Sequence, residues 1–279
     1  MQPLIDVQQL QTLLEQPNVK ILDASIRFQI PSEGKKISNK WIPGSLRFDY
    51  DNEFCLKDTP LPHMMPTEEA FNVRAQEMGL NNEDHIVVYD NSGTLASPRA
   101  WWMFKAMGHH NVTILNGGLP AWLDAGLPTV EELATPNGQG NFNGKLDNSA
   151  FLDVQAVLTH SNNQSANIID ARSTARFYAE VPEPRKGIRS GHIPNSVCLP
   201  FQTLLAEGRI KSIPELDKAF NALKLNNEKP FIFSCGSGVT ACILLLAASQ
   251  LGRHNLSVYD GSWTEWGASD SLPIDHNGQ

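Results

Sequence analysis

Cysteine is scarce in this sequence. Cys55, Cys198, Cys235 and Cys242 are the only four among 279 residues, and no two share a CxxC spacing. That excludes a disulfide framework and cysteine-based zinc ligation, and it leaves thiols, any one of which could be a nucleophile. A basic excess is missing too. The formal charge is −8, with 22 Lys and Arg against 30 Asp and Glu, which argues against a surface for nucleic acid or an anionic membrane and favours small or neutral partners. No apolar run is long: the uncharged stretch Ala241–Ala248 falls far short of the roughly 18 residues needed to span a bilayer. The opening MQPLIDVQQLQTLL has no basic region followed by an apolar stretch and a small-residue cleavage site. A cytoplasmic protein without a membrane segment is expected.

What the chain does have is ordinary globular composition, 41% hydrophobic and 19% charged, over a length that favours two domains. It also repeats itself. Val87 to Trp122 aligns without gaps on Phe231 to Trp266, and Gly108, His110, Asn111, Gly117 and Trp122 meet identical residues at 252, 254, 255, 261 and 266. Upstream, ILDA (21–24) matches IIDA (168–171), and WIPGS (41–45) matches HIPNS (192–196). Between the halves, ATPNGQGNFNGKLDN (134–148) is rich in Gly, Asn and Pro without apolar periodicity. The division expected is therefore residues 1–134, a linker at 135–149, and 150–279. Within each half, short apolar strands (21–23, 86–89, 112–115; 168–170, 231–234, 257–259) alternate with helical patterns (68–78, 98–107; 214–223, 239–251). That alternation predicts an α/β fold, each half a mainly parallel sheet with helices on both faces. Ligands of such sheets sit at the carboxyl ends of the strands.

FIFSCGSGVTACILLL (231–246) falls at such an end. Phe231–Ser234 reads as a buried strand and Cys235 as the first residue beyond it. Gly236 and Gly238 let the backbone turn tightly, and from about Val239 a helix begins, so unpaired N–H groups and the positive end of the helix dipole converge on the turn. An anion belongs there, and the nearest is the thiolate of Cys235. A free thiol titrates near pH 8.5 and a helix N-terminus lowers that; a fall of two units takes about 2.7 kcal/mol. Against this stands the reading of Cys235 as a small buried hydrophobe. Its place in the turn, and Asn91 in the same place of the other half, weigh for chemistry. Cys242 and Cys198 read as core residues, and Cys55 as an incidental thiol in a polar loop.

Three cysteine chemistries fail on the text. A C-x5-R phosphatase loop would need a basic residue where Ala241 stands. A hydrolase needs a positioned His and acid; His192, His254 and His276 exist, but His254 has a counterpart in the half without the cysteine. Zinc ligation lacks the spacing. Sulfur chemistry remains, with the thiolate attacking a sulfur atom and keeping it as a persulfide.

DNSGTLASPRAWW (90–102), HIP (192–194), CGSGVTA (235–241) and YDGSWTEW (259–266) together resemble the tandem-rhodanese sulfurtransferases, over about residues 19–273. The resemblance is strongest to those members that draw sulfur from 3-mercaptopyruvate. It implies two rhodanese-like domains, the first inactive, and a ping-pong reaction. Cys235 takes the sulfur, pyruvate leaves, and the persulfide passes to thioredoxin, a small thiol or cyanide, with no metal or organic cofactor. The family's substrate arginines map onto Arg176 and Arg185, while Arg172 is expected to pair with an acid. Ser237 and Thr240 would donate hydrogen bonds or relay protons, and Gly236, Gly238 and Val239 would line the substrate. Asp51 and His63, from the first half, would line a cleft between domains, although an isolated histidine in such a segment reads as a surface residue. Arg99, Trp101 and Trp102 are expected to organise the inactive domain. Family members that use thiosulfate carry Arg and Lys just after the cysteine, where this chain has Gly236 and Ser237; thiosulfate is thus the alternative donor. A non-catalytic binding module is the alternative of another class.

Overall fold

The structure, a computed structural model, describes residues 2–30 and 33–276. The chain forms two compact units. The first comprises Met1–Asp58, Met65–Asp147 and Ala206–Ile210; the second comprises Thr59–Met64, Asn148–Leu205 and Lys211–Gln279. Each half of the sequence therefore lends a short segment to the unit built mainly by the other.

In the first unit the elements run β1 (Leu4–Ile5), α1 (Val7–Leu13), β2 (Val19–Asp23), β3 (Leu46–Arg47), α2 (Glu68–Glu77), β4 (His85–Tyr89), α3 (Ser97–Ala106), β5 (Val112–Leu115) and α4 (Gly118–Asp124). The five strands form a parallel sheet in the order β1-β5-β4-β2-β3. β4 is buried along its whole length, which is why it reads as a continuous apolar run rather than an alternation. Its alternate residues Val87 and Tyr89 pack with Leu10 of α1 and with Leu119 and Trp122 of α4. An aromatic cluster of Phe48, Phe71, Phe104 and Phe142 joins α2 and α3.

The second half of the chain runs β6 (Phe151–Leu152), α5 (Val154–Asn163), β7 (Asn167–Asp170), α6 (Thr174–Phe177), β8 (Ser196–Cys198), then, after the paired strands β9 (Leu205–Ala206) and β10 (Arg209–Ile210), α7 (Ile213–Asn221), β11 (Phe231–Ser234), α8 (Ala241–Gln250), β12 (Leu256–Tyr259) and α9 (Ser262–Trp266). Its parallel sheet has the matching order β6-β12-β11-β7-β8, with β11 at the centre. Ile232 packs with Val157 of α5 and with Trp263 and Trp266 of α9. α8 lies against β11 and β12. Every residue of α8 from Ala241 to Ala248 is buried, as an all-round apolar helix must be, and burying each of its Leu and Ile side chains stabilises the unit by about 1.5–3 kcal/mol.

The predicted elements are all present, most shifted by one or two residues at an end. α8 begins at Ala241 rather than Val239 because Val239 and Thr240 still belong to the turn. Residues 136–147, read from the sequence as part of a linker, carry neither helix nor strand, yet they lie on the first unit. Gly140 N–H donates to the Gln76 carbonyl at 2.8 Å, Lys145 N–H donates to the Met107 carbonyl at 2.9 Å, and Phe142 is buried in the aromatic cluster. Among the described residues, no helix is long and apolar enough to cross a membrane.

Candidate active site

β11 ends at Ser234, and the six residues Cys235–Thr240 lead into α8. Gly238 takes φ +77°, a conformation that costs a side-chain-bearing residue about 1–2 kcal/mol. The backbone at Cys235 is fastened to α9. Its N–H donates to Ser262 Oγ at 3.2 Å, and that hydroxyl donates to the Tyr259 carbonyl at 2.8 Å. The Cys235 carbonyl accepts from Trp263 N–H at 3.0 Å. The Gly236 carbonyl accepts twice from Thr264, from N–H at 2.9 Å and from Oγ1 at 2.6 Å. Among the described residues, the N–H groups of Gly236, Ser237, Val239, Thr240 and Ala241 donate to no protein acceptor. With Cys235 itself only 2% exposed, the turn is a cradle of main-chain donors at the start of a ten-residue helix, the arrangement that holds a negative charge.

The other half shows what such a turn does when it carries its own anion. The residues aligned with Val239, Thr240 and Ala241 are Leu95, Ala96 and Ser97. Their N–H groups all donate to Oδ2 of Asp90, at 3.0, 2.9 and 2.9 Å, and the Ser97 hydroxyl adds a fourth bond at 2.8 Å. Oδ1 accepts from Ser92. Burial pushes the Asp90 carboxyl up and these donors pull it back. The four main-chain N–H groups among these partners can only donate, which fits the ionised form. Asn91, in the cysteine's place, turns its amide to the Ile37 carbonyl at 2.9 Å. In the second unit the residue aligned with Asp90 is Ser234, and the three corresponding amides, of Val239, Thr240 and Ala241, have no protein acceptor among the described residues.

The arginines divide by partner. Arg172 is wholly buried. Its Nε and Nη2 lie 2.9 and 2.6 Å from Asp170 Oδ2, Nη1 is 2.9 Å from Glu183 Oε1, Nη2 also reaches the Gly191 carbonyl, and the guanidinium stacks 4.2 Å from the centre of Trp263. It is structural, as its position after the IIDA strand predicted. Arg176, on α6, is held by Glu183 through Nε at 3.1 Å and Nη2 at 2.5 Å. Its guanidinium lies against the cysteine turn, for a Cβ added to Gly236 would stand 3.5 Å from Nη2. Arg185 is exposed, and its Nη1 donates to Thr264 Oγ1 at 2.6 Å. Cys235, Gly236, Gly238, Val239, Ser237, Thr240, Arg176 and Arg185 thus belong to one unit, and Arg176 and Arg185 both reach the turn or the helix that fastens it.

The two residues expected from the first half part company. His63 lies in the segment Thr59–Met64 of the second unit, is 6% exposed and has φ +61°, which corrects the view of it as a surface residue. Asp51 belongs to the first unit, where its carbonyl accepts from the Cys55 thiol at 3.2 Å. Cys55 lies in a loop, as expected, but is buried there, and burial pushes its thiol up. Cys242 is buried within α8, its thiol donating to the Gly238 carbonyl at 3.4 Å. Cys198 is half-buried, its thiol pushed up to about 12 by burial and by Asp170. Arg99 and Trp101 are buried in α3 and Trp102 is partly so. Among the described residues, no group of three His, Cys, Asp or Glu side chains could hold a metal ion.

Four residues that shape the site were not read from the sequence: Asp90, Glu183, Ser262 and Thr264. For Ser262 a signal existed. It aligns with Gly118, a glycine position in one half that carries a hydroxyl in the other, and the structure gives both positive φ (+50° and +55°).

The rhodanese-like domain family matches the chain twice, over residues 6–125 and 153–269. The 3-mercaptopyruvate sulfurtransferase of Escherichia coli K12 is 42% identical over 269 residues, covering 94% of each chain. The mitochondrial thiosulfate/3-mercaptopyruvate sulfurtransferase 1 of Arabidopsis thaliana is 38% identical over 300 residues, covering 98% of this chain and 78% of its own. Among solved structures, the crystal structure of SseA, a 3-mercaptopyruvate sulfotransferase from Escherichia coli, matches with a TM-score of 0.83 at 37% identity, covering 94% of this chain and 99% of that one. With one copy of the domain in each half, this chain belongs to the rhodanese-like domain family.

Proposed function

We propose that this chain transfers sulfur from 3-mercaptopyruvate to a thiol acceptor through a persulfide on Cys235. The observation that carries the reading is the contrast between the two turns: three amides that bind the Asp90 carboxylate in the first unit are without a protein acceptor around Cys235 in the second. The Cys235 thiolate attacks the sulfur of the donor. The S–S bond forms as the C–S bond breaks, the electron pair leaves with the three-carbon fragment as an enolate, and the proton that was on the donor thiol ends on that carbon, giving pyruvate. The persulfide's outer sulfur is then taken by an acceptor thiol, small or on thioredoxin, or by cyanide, and the thiolate returns. Neither step requires an electron from outside, so the chemistry as written needs no metal or organic cofactor.

Arg176 and Arg185 hold the donor's carboxylate, for which a planar guanidinium is suited by its paired donors. The amides of Gly236, Gly238 and Val239 face the transferring sulfur. Ser237 and Thr240, each 9% exposed, supply hydroxyls for the departing enolate, and His63 is assigned to the donor side of the same unit. The first unit, whose turn is filled by Asp90, is assigned no catalysis, and Asp51 within it no step. No cation follows Cys235 in the turn, so a monoanionic donor suits it better than dianionic thiosulfate.

Mass spectrometry after incubation with 3-mercaptopyruvate tests the reading. One added sulfur, about +32 Da, is expected on the peptide containing Cys235, together with released pyruvate, and Cys235→Ser should lose both. An unmodified peptide and no pyruvate would favour a binding module instead, and faster turnover of thiosulfate would favour that donor.

A further inference from the structure

Arg185 is an exposed, flexible cation on a polar loop, and such a side chain has little reason to stay over one spot. In this structure it has one reason. Its Nη1 donates to Thr264 Oγ1 at 2.6 Å, and that hydroxyl spends its own proton on the Gly236 carbonyl, also at 2.6 Å. A threonine hydroxyl has one proton to give and lone pairs to receive with, so the two bonds are compatible and directional. Thr264 thereby ties the residue next to Cys235 to the arginine. Its main-chain N–H, on the same Gly236 carbonyl at 2.9 Å, keeps α9 docked whether or not the hydroxyl is present.

We propose that Thr264 is a positioning residue for use of the anionic sulfur donor, acting by holding Arg185 beside the Cys235 turn. The proposal rests on the donor reading above. The bond to Thr264 takes up Nη1 and leaves the Nε and Nη2 edge of Arg185 for a carboxylate in two parallel bonds. Ordering the side chain before the donor arrives removes part of the entropy that binding must otherwise overcome. The reacting sulfur is untouched by this bond, so the effect belongs to binding of the donor rather than to bond breaking.

Thr264→Val keeps the shape of the side chain and removes only the hydroxyl; Thr264→Ser keeps the hydroxyl. In the full chain, Thr264→Val should raise KM for 3-mercaptopyruvate about three- to ten-fold with kcat within about two-fold, and Thr264→Ser should stay close to wild type. In an Arg185→Ala background, Thr264→Val should add nothing. A second readout needs no sulfur donor: the rate at which Cys235 is alkylated by anionic iodoacetate, relative to neutral iodoacetamide. Thr264→Val should lower that ratio by a similar factor while leaving the iodoacetamide rate unchanged. Unchanged KM together with an unchanged ratio overturns the proposal. So does a fall in kcat and in the iodoacetamide rate that Thr264→Ser fails to prevent, because that pattern means a loosened turn rather than a misplaced arginine. If wild type releases no pyruvate, the donor reading fails, and the alkylation ratio alone decides whether Thr264 orients Arg185.

Discussion

Arg172→Met should be the most damaging single change among the arginines, and it should act on stability. The guanidinium and the Asp170 carboxylate are each about 98–99% buried, and Glu183 is nearly so. Taking away the cation strands Asp170 with little beyond the Arg172 main-chain N–H at 2.9 Å, while Glu183 keeps Arg176. Breaking a buried pair from one side costs about 3–5 kcal/mol, and loss of the stack on Trp263 adds about 0.5–1 kcal/mol. Methionine fills much of the vacated volume, so a total of about 4 kcal/mol is expected. For a unit of this size 1 kcal/mol moves Tm by about 3 °C, which puts the fall in the second unit's transition at about 12 °C. Calorimetry reads the shift, and hydrogen exchange at β11 assigns it to the second unit. The double variant is the sharper test. Asp170→Asn in the Arg172→Met chain removes the stranded charge and should recover about half the loss, although Asp170→Asn alone, which leaves Arg172 only Glu183 as a charged partner, is itself destabilising. A loss below about 1 kcal/mol in Arg172→Met, or a double variant less stable than either single one, would refute the account of the pair.

Three further outcomes follow from the same geometry. In a Cys235→Ser chain, Asn91→Cys alone should gain no reactive thiol because the Asp90 carboxylate already holds the turn's amides; adding Asp90→Ser should speed iodoacetamide labelling at position 91 about ten-fold, and equal labelling in both would contradict the role given to Asp90. Glu183→Gln removes the negative charge between Arg172 and Arg176, so the ratio of kcat/KM for thiosulfate to that for 3-mercaptopyruvate should rise about three- to ten-fold; a ratio that stays put would show that this carboxylate does not set the charge the donor meets. With its thiol pushed up to about 12, Cys198 is charged in about one molecule in ten thousand at pH 8, so limited iodoacetamide at that pH should mark Cys235 and spare Cys198 until the pH approaches 12, as peptide mass spectrometry would show.

How much of this could be read beforehand depended on whether the physical cause was local. β5 and β11 were placed to the residue because a buried parallel strand is an unbroken apolar run flanked by turn residues, and nothing distant competes with that signal. α8 was extended two residues too far because a helix apolar on every side has no phase from which to count its start. The cysteine was legible as a strand-end residue before two glycines and a helix, and the arginines only through resemblance, since Arg176 sits on the four-residue α6 and Arg185 in a polar loop from 178 to 190, neither with a period to read. Glu183 stood in that loop in plain view. Its meaning lies in which two cations it joins, seven and eleven residues back along the chain, and no spacing rule encodes that. The segments Thr59–Met64 and Ala206–Ile210 were assigned to their own halves for the same reason: each is short and without a period, and only packing says which unit holds it.

The duplication is visible in the sequence, but Cys235 against Asn91 is only part of the difference between the two turns. Comparing the halves directs attention to Asn91 against Cys235, as though loss of a nucleophile were the whole of the divergence. The hydrogen bonds direct it one residue earlier. With Asp90 the turn satisfies its own amides, in the manner of a helix capped by a carboxylate, and becomes a rigid structural corner. With Ser234 in that place, the amides at the corresponding positions have no acceptor among the described residues of the unit. An unsatisfied helix start next to a buried thiol is a cost in stability, and it is offset where the thiol becomes an anion or carries one. On the function proposed above, a turn of this design is either capped by its own carboxylate or open to an anion carried by the cysteine, and three amides cannot serve both ends at once.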